Sequence, residues 1–358
     1  MHLSQIIKQI NVKNVQDENL PLLGLNCNKV FMPSIANTNG TDLSKYKVIV
    51  KGQFACSLMQ VARDGLVPIC KFDEYDKAIM YSAYFIFEVV NKEVHPDYLM
   101  CFFRTKRFDD NAMFYSSGGI RGALSWERFL DIDVPVIPYD KQIKIVEEYK
   151  TISERISIKE AINNNLLQQI KSLYCSVFIQ NILIMNNDIR DECNTSIGNY
   201  CQIKSGKVVS SIKPYKESNY LIPVYGASSI IGYSKEYLFN EKLIVTGRVG
   251  THGVLQCVFG KSYPTDNTLV IFAGEYFNYI YASLMNLNFE KLNVGSTQPL
   301  ITQSKLLNIP LYNYDKNEII NFCKNIEPIL SQINTNNREI EILSNIKQLL
   351  LNKISIQQ

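Results

Sequence analysis

Apolar residues recur along this chain with two different periods, and the longer period marks its most regular stretches. From Tyr139 to about Gln180, Ile145, Tyr149, Ile152 and Ile156 stand at steps of four, three and four, and Leu166, Ile170, Leu173 and Val177 repeat those steps. That spacing places one apolar seam on a helix. Tyr314-Asp315-Lys316-Asn317 opens a second run, with Ile319, Cys323, Ile326, Leu330 and Ile333, then Ile340, Leu343, Ile346 and Leu350. Asp315 lies 175 residues after Asp140 of the matching Tyr139-Asp140-Lys141-Gln142. Each seam is too narrow to bury itself, so the pattern predicts two long helices that pair as an antiparallel coiled coil. Packing of each helix on its own neighbouring block is the alternative. Pro328 is expected to kink or restart the second helix. Asn163-Asn164-Asn165 and Asn336-Asn337 interrupt the seams, either as buried, register-setting pairs or as solvated helix breaks.

The remaining chain forms two blocks with shorter, strand-like runs. In the first, residues 1–138, these are Tyr46 to Val50, Val67 to Phe72 and Tyr84 to Val89, separated by turn formers such as Asn37-Thr38-Asn39-Gly40 and Asp64-Gly65. A helix is expected from Pro96 to near Phe108, Pro96 suiting an early helical position; Trp126 is expected to pack under the helix that follows. In residues 191–311, Lys242 to Gly247 matches Lys47 to Gly52, Thr268 to Phe272 matches Tyr84 to Val89, and Tyr276 to Leu287 matches the helix after Pro96. The conserved order predicts an internal duplication. The fold class is α+β: a block (1–138), a helix and linker (139–190), a block (191–311) and a helix (312–358).

Composition narrows the function. With 358 residues, 46% hydrophobic and 11% aromatic, the chain can bury more than one core. Net charge is only +3; the first block holds fifteen basic and fifteen acidic side chains, the second ten and eight. Bulk charge therefore gives no strong nucleic-acid footprint, and DNA binding would rest on local patches or on a partner. Nine scattered cysteines without a C-x-x-C pair, and three histidines distant in sequence, point to a reducing cytosol rather than a disulfide framework or zinc site. Neither export nor membrane spanning is expected, and the location expected is cytoplasmic.

Catalytic and cofactor signals are missing. No two prolines are adjacent, which removes the Asn/Asp-Pro-Pro-aromatic loop of amino-methyltransferases; Gly247 to Gly253 lacks the G-x-G-x-x-G spacing, and Ser205-Gly206-Lys207 lacks the earlier glycine of a P-loop. Pro264-Thr265-Asp266 reads as a turn between strands. His95, Ser116 and Ser117 have no third orienting group at a useful spacing. What remains is polar side chains in turns. Arginine and glutamine make bidentate contacts to guanine and adenine edges, which singles out Gln60, Arg63 and Arg248, with Thr251 and His252 in the same glycine-rich turn as Arg248. Lys51, Arg121, Lys204 and Lys207 are candidates for phosphate contacts.

Block, long helix, block, long helix, without a catalytic motif, resembles the specificity subunit of a type I DNA restriction-modification system. The residues of block two that carry the resemblance are Gly206-Lys207, Ile222-Pro223-Val224-Tyr225-Gly226, Ile231-Gly232-Tyr233 and Gly247-Arg248-Val249-Gly250. Pro138 to Gln142 and Ile145 are similar to the family's entry into its spacer helix. Block one matches through Tyr46 to Cys56 and Met59 to Asp64, with Gly52-Gln53-Phe54 set against Gly247-Arg248-Val249. The resemblance implies a non-catalytic, cofactor-free subunit that reads double-stranded DNA, binds two methyltransferase subunits and accepts a translocating nuclease subunit. It implies a bipartite target, one half per block. About forty helical residues span roughly 60 Å, ample for half-sites about 34 Å apart. The rival expectations are a helical scaffold that binds no DNA and a methyltransferase-linked reader without restriction.

Overall fold

A computed structural model describes the chain apart from residues 16–19, 35–39, 60, 117–121, 180–194, 250–252, 293–299, 312–313 and 357–358. It divides into two compact units, Met1–Ile158 with Glu339–Gln358, and Lys159–Arg338. No described helix is long and apolar enough to cross a membrane.

In the first unit, β1 (Ile7–Ile10), β2 (Leu22–Leu25), β3 (Phe31–Pro33), β4 (Lys47–Val50), β5 (Phe54–Cys56), β6 (Ile69–Lys71), β7 (Lys77–Met80) and β8 (Phe85–Val89) build two sheets, ordered β1-β8-β5-β6 and β3-β2-β7-β4. Among the described residues only the β2–β7 pair is parallel. α1 (Val61–Asp64), α2 (Pro96–Phe103), α3 (Lys106–Ser116) and α4 (Trp126–Leu130) complete the block, and α5 (Tyr139–Tyr174) leaves it. Pro96 opens α2 as expected, but the helix ends at Phe103 and a second one runs to Ser116. The buried Thr105 explains the break: its hydroxyl donates to Phe102 O at 2.7 Å and accepts from Phe108 N at 3.2 Å, closing one helix and capping the next. Trp126 packs on the core that Val146 of the long helix joins. It stacks on Phe85 of β8 with ring centroids 5.0 Å apart, and on Phe129 within α4.

The second unit repeats this plan. β9 (Thr195–Ser196), β10 (Gln202–Ser205), β11 (Ile222–Tyr225), β12 (Ile230–Ser234), β13 (Phe239–Asn240), β14 (Leu243–Gly247), β15 (Leu255–Val258), β16 (Lys261–Pro264), β17 (Thr268–Phe272) and β18 (Pro310–Leu311) precede the final helix, with α6 (Phe277–Met285) and α7 (Gln303–Leu307) between β17 and α8 (Lys316–Ile356). Its sheets run β10-β17-β14-β15 and β12-β11-β16-β13, with β11–β16 the parallel pair. Strand for strand these are the orders of the first unit, so the duplication is present in topology as well as in pattern. One correspondence needs correction. β14 sits between β17 and β15, the place β5 holds between β8 and β6, so Lys242 to Gly247 matches Phe54–Cys56 rather than Lys47 to Gly52. The two runs look alike because both are apolar and both end in glycine; β14 is buried at all five positions since a helix-backed core covers one face and the second sheet the other.

Both long helices pair inside each unit. In the first, Val146 of α5 and Leu351 and Ile354 of α8 enter the core of the block, and Arg155 meets Glu339 at 2.8 Å. Further along, the Lys347 ammonium stands 5.6 Å from the centre of the Tyr149 ring. In the second, Ile170 and Tyr174 pack with Ile319, Phe322, Ile326 and Leu330. Numbers rise along one helix as they fall along the other, so the pairing is antiparallel. α5 continues through Asn163-Asn164-Asn165, which settles the open alternative: Asn163 is buried, accepting from Asn336 Nδ2 and donating to Asn337 Oδ1, each at 2.8 Å. Lys159 and Gln332 also donate to Asn336 Oδ1, at 3.2 and 3.0 Å.

α8 departs from expectation at two places. The helix does not restart at Pro328: it runs unbroken through that exposed residue, and buried Ile326 and Leu330 hold the turn on the core. Ile346 is 45% exposed, because the buried face passes through Leu343, Leu350, Leu351 and Ile354 and leaves Ile346 beside it.

Each block is also tied to the helix that follows it through the first turn of its packed helix. Asp97 of α2 takes Lys150 of α5 and Lys71, both at 2.6 Å. Asn278 of α6 donates to Glu327 Oε2 and to Cys323 O on α8, both at 2.8 Å. Asn336→Ala strands the buried Asn163 amide and should lower stability to urea by about 1–3 kcal/mol. Joint Asn163→Leu and Asn336→Leu exchange should recover most of that loss, and a double variant as unstable as the single one would mean that the amides do not act as a pair.

Candidate nucleic-acid interface

Block two gathers its candidates around the turn between β16 and β17. Thr265 O accepts from Thr268 N at 3.0 Å and from the Thr268 hydroxyl at 2.6 Å, which closes the turn that Pro264-Thr265-Asp266 was expected to make. On one side, Gly206 N donates to Thr268 O and Lys207 N to Pro264 O at 3.1 Å. On the other, Arg248 N donates to Asn267 O at 2.8 Å. Lys207 and Arg248 are thus held at one end of the β10-β17-β14 sheet, Lys207 exposed and Arg248 half-buried. Gly206 makes the close approach possible: a Cβ there would lie 2.2 Å from Thr265 O and 2.4 Å from Pro264 O, on rigid backbone. Lys204 points elsewhere. Its ammonium lies 5.2 Å from the centre of the Phe272 ring, at the far end of β17, four residues or roughly 13 Å from Thr268.

Block one distributes its candidates differently. Arg63 lies on α1, beyond the C-terminal end of β5, while Lys51 lies in the turn that enters β5 from the other end. The Arg63 guanidinium grips its neighbour Asp64 with two bonds, Nε to Oδ1 at 2.7 Å and Nη2 to Oδ2 at 3.2 Å. These hydrogen bonds hold the Asp64 carboxyl below the usual carboxylate range and push the guanidinium's pKa further up. A guanidinium buttressed on its Nε edge keeps its other edge for a second bidentate partner, which is the geometry guanine O6 and N7 require. Arg248 follows β14 where Ser57-Leu58 follows β5: Ile301 N donates to Arg248 O as Leu124 N donates to Leu58 O, each at 2.9 Å. Arg248 thus has buried Leu58 as its counterpart, replacing the match with Gln53.

Gln60, Arg121, Thr251 and His252 lie outside the described residues, as does Ser117. Ser116 is buried and donates to Met113 O at 2.7 Å, and His95 Nδ1 caps α2 by accepting from Asp97 N at 3.1 Å, so both have structural work. Sequence reasoning passed over a set of lysines set on tyrosine rings along the edge strand β12, although Lys213-Pro214-Tyr215-Lys216 and Tyr220 interleave the two residue types in plain view.

Residues 193–341 match the family described as the type I restriction modification DNA specificity domain. This chain carries that domain. The match spans 149 of the 358 residues. The S subunit of a type I system from M. genitalium shares the fold, at 10% identity and a TM-score of 0.55, over 99% of this chain and 95% of that one. The HsdS subunit of Thermoanaerobacter tengcongensis is matched over 99% and 95% of the two chains at 12% identity and a TM-score of 0.39. A chain from work on complex assembly and conformational transition of the type I R-M system is matched over 99% and 96%, at 13% identity and a TM-score of 0.45. No curated protein matches the sequence.

With its free edge on a guanine, Arg63 would contribute about 1–3 kcal/mol of base discrimination, and Arg63→Ala is expected to lose it at those positions alone. Asp64→Asn, which loosens the buttress, should shift the same positions less. Methylation assays on a panel of single-base target variants measure both, and an equal loss at both half-sites would make Arg63 structural.

Proposed function

We propose that the chain reads a bipartite DNA target, residues 1–138 recognising one half and residues 191–311 the other, on behalf of two methyltransferase subunits that a translocating nuclease subunit can join. The observation that carries this reading is the repetition of one sheet order in two blocks whose polar end-loops differ. A shared scaffold with unlike loops suits the reading of two unlike sequences. Arg63 serves block one, and Arg248 and Lys207 block two, by base and phosphate contacts; Gln60, Arg121, Thr251 and His252 belong to the same loops by sequence. Lys51 and Lys204, placed away from these ends, contribute phosphate contacts at most.

The paired helices fix the unread bases between the half-sites, since α5 and α8, at 36 and 41 residues, are long enough to bridge a helical turn of DNA. Protein partners dock on the helices as well: Ile342 and Leu349 of α8 are 58% and 62% exposed, more than a solvated helix face needs. That feature also suits the scaffold reading, and one experiment separates the two. Methylated bases are mapped across the host genome with and without this gene. Loss of a single bipartite motif is the expected outcome. An unchanged methylome with the gene expressed would put the scaffold reading in its place.

A further inference from the structure

Block two carries a second cationic surface, away from the turn that holds Lys207 and Arg248. Its three lysines are set on two tyrosine rings. The Lys213 and Lys235 ammoniums stand 6.0 and 4.9 Å from the centre of the Tyr220 ring, and that of Lys216 stands 5.3 Å from the Tyr233 ring. All three lysines are exposed, and the Tyr220 hydroxyl is fixed by Ser211 at 2.8 Å. The cluster is built into the sheet. Lys213 bridges Tyr233 of β12, its N–H and C=O both bonded to that residue at 2.9 and 2.8 Å. Gly232 lets the segment cross: a Cβ there would lie 2.5 Å from Lys213 O.

Surface lysines are ordinary, but this arrangement is not what a solvated face needs. Two of the ammoniums share one ring, and Glu217 reaches the cluster 3.7 Å from Lys213, both side chains about half exposed. Glu236 follows Lys235 in sequence and is exposed. The rings hold the lysine stems in place beforehand, so less side-chain freedom is lost when an anion binds. The position also fits. Tyr225 and Ile230 lie at the Thr265 end of β11 and β12, and Tyr233 lies three residues further along the same edge, roughly 10 Å away.

We propose that Lys213, Lys216 and Lys235, ordered on Tyr220 and Tyr233, clamp the DNA sugar-phosphate backbone beside the half-site that block two reads. The inference rests on the proposed function. The clamp supplies affinity without sequence information, which a chain of net charge +3 needs from a local concentration of charge.

The test uses the full chain assembled with its methyltransferase subunit, titrated with a duplex carrying the mapped target over a range of salt concentrations. The K213Q/K216Q/K235Q variant should lower the slope of log affinity against log salt by about 2 to 3, at about 0.9 per phosphate released, with the methylated motif unchanged. Glu217→Gln, which removes the opposing charge, should shift affinity the other way and keeps the proposal testable should the triple variant fold poorly. An unchanged slope in a folded triple variant overturns the clamp, as does a changed block-two half-site, which would make the lysines base readers. Loss of methyltransferase assembly with the DNA slope preserved would assign the surface to a protein partner. A wild-type assembly that methylates no defined motif would instead overturn the proposed function itself.

Discussion

Neither long helix can satisfy its own apolar stripe, and the rest of the chain is arranged around that fact. Each helix buries part of its seam against the other and part against a block, so the helices serve as core for both units at once. Val146, Leu351 and Ile354 complete one interior; Ile170, Tyr174, Phe322 and Ile326 complete the other. A block lacking its helical segments would expose the apolar face that these residues cover. The polar ties at Asp97 and Asn278 then orient each block on its helix with opposite chemistry, a carboxylate between two lysines in one case and an amide beside a carboxylate in the other.

The strand order explains how recognition can vary on this scaffold. In both blocks the sheet β1-β8-β5-β6 or its counterpart supplies a rigid floor, and polar residues gather where β5 and β14 leave it. Arg248 occupies the backbone position that Leu58 fills in block one, while Arg63 lies five residues later on a helical turn of its own. The floor is conserved and its furniture is not. Glycines mark where the floor cannot change: at Gly206 and Gly232 another backbone passes within reach of any added carbon.

Much of this was legible in the sequence, and the failures have physical causes. A period of 3.6 sustained over forty residues is hard to mistake, so both helices and their pairing were predictable. Strands of three or four residues are not, and β1, β2 and β3 passed unnoticed; Leu22–Leu25 even contains a glycine. The mismatch of β14 with β4 arose because burial on both faces erases alternation, leaving two similar apolar runs that only their neighbours in the sheet can distinguish. Hydrophobicity placed Ile346 on the seam, yet an asparagine with a partner was buried and the isoleucine was not. The lysine–tyrosine surface depends on a crossing near Gly232 that brings residues 213 and 233 together, and no local pattern encodes that crossing.

The hydrogen-bonded amides between the long helices have a consequence for cells that hold several chains of this plan. Asn163 and Asn336 are satisfied because each finds an amide at the same level of the opposite helix. A helix borrowed from a sister protein with isoleucine at that level would seal a dry, unpaired amide into the seam, a cost comparable to the worth of a whole packed side chain. The polar layer is then a mark of kinship: it favours a chain that closes on itself over one paired with a stranger's helix.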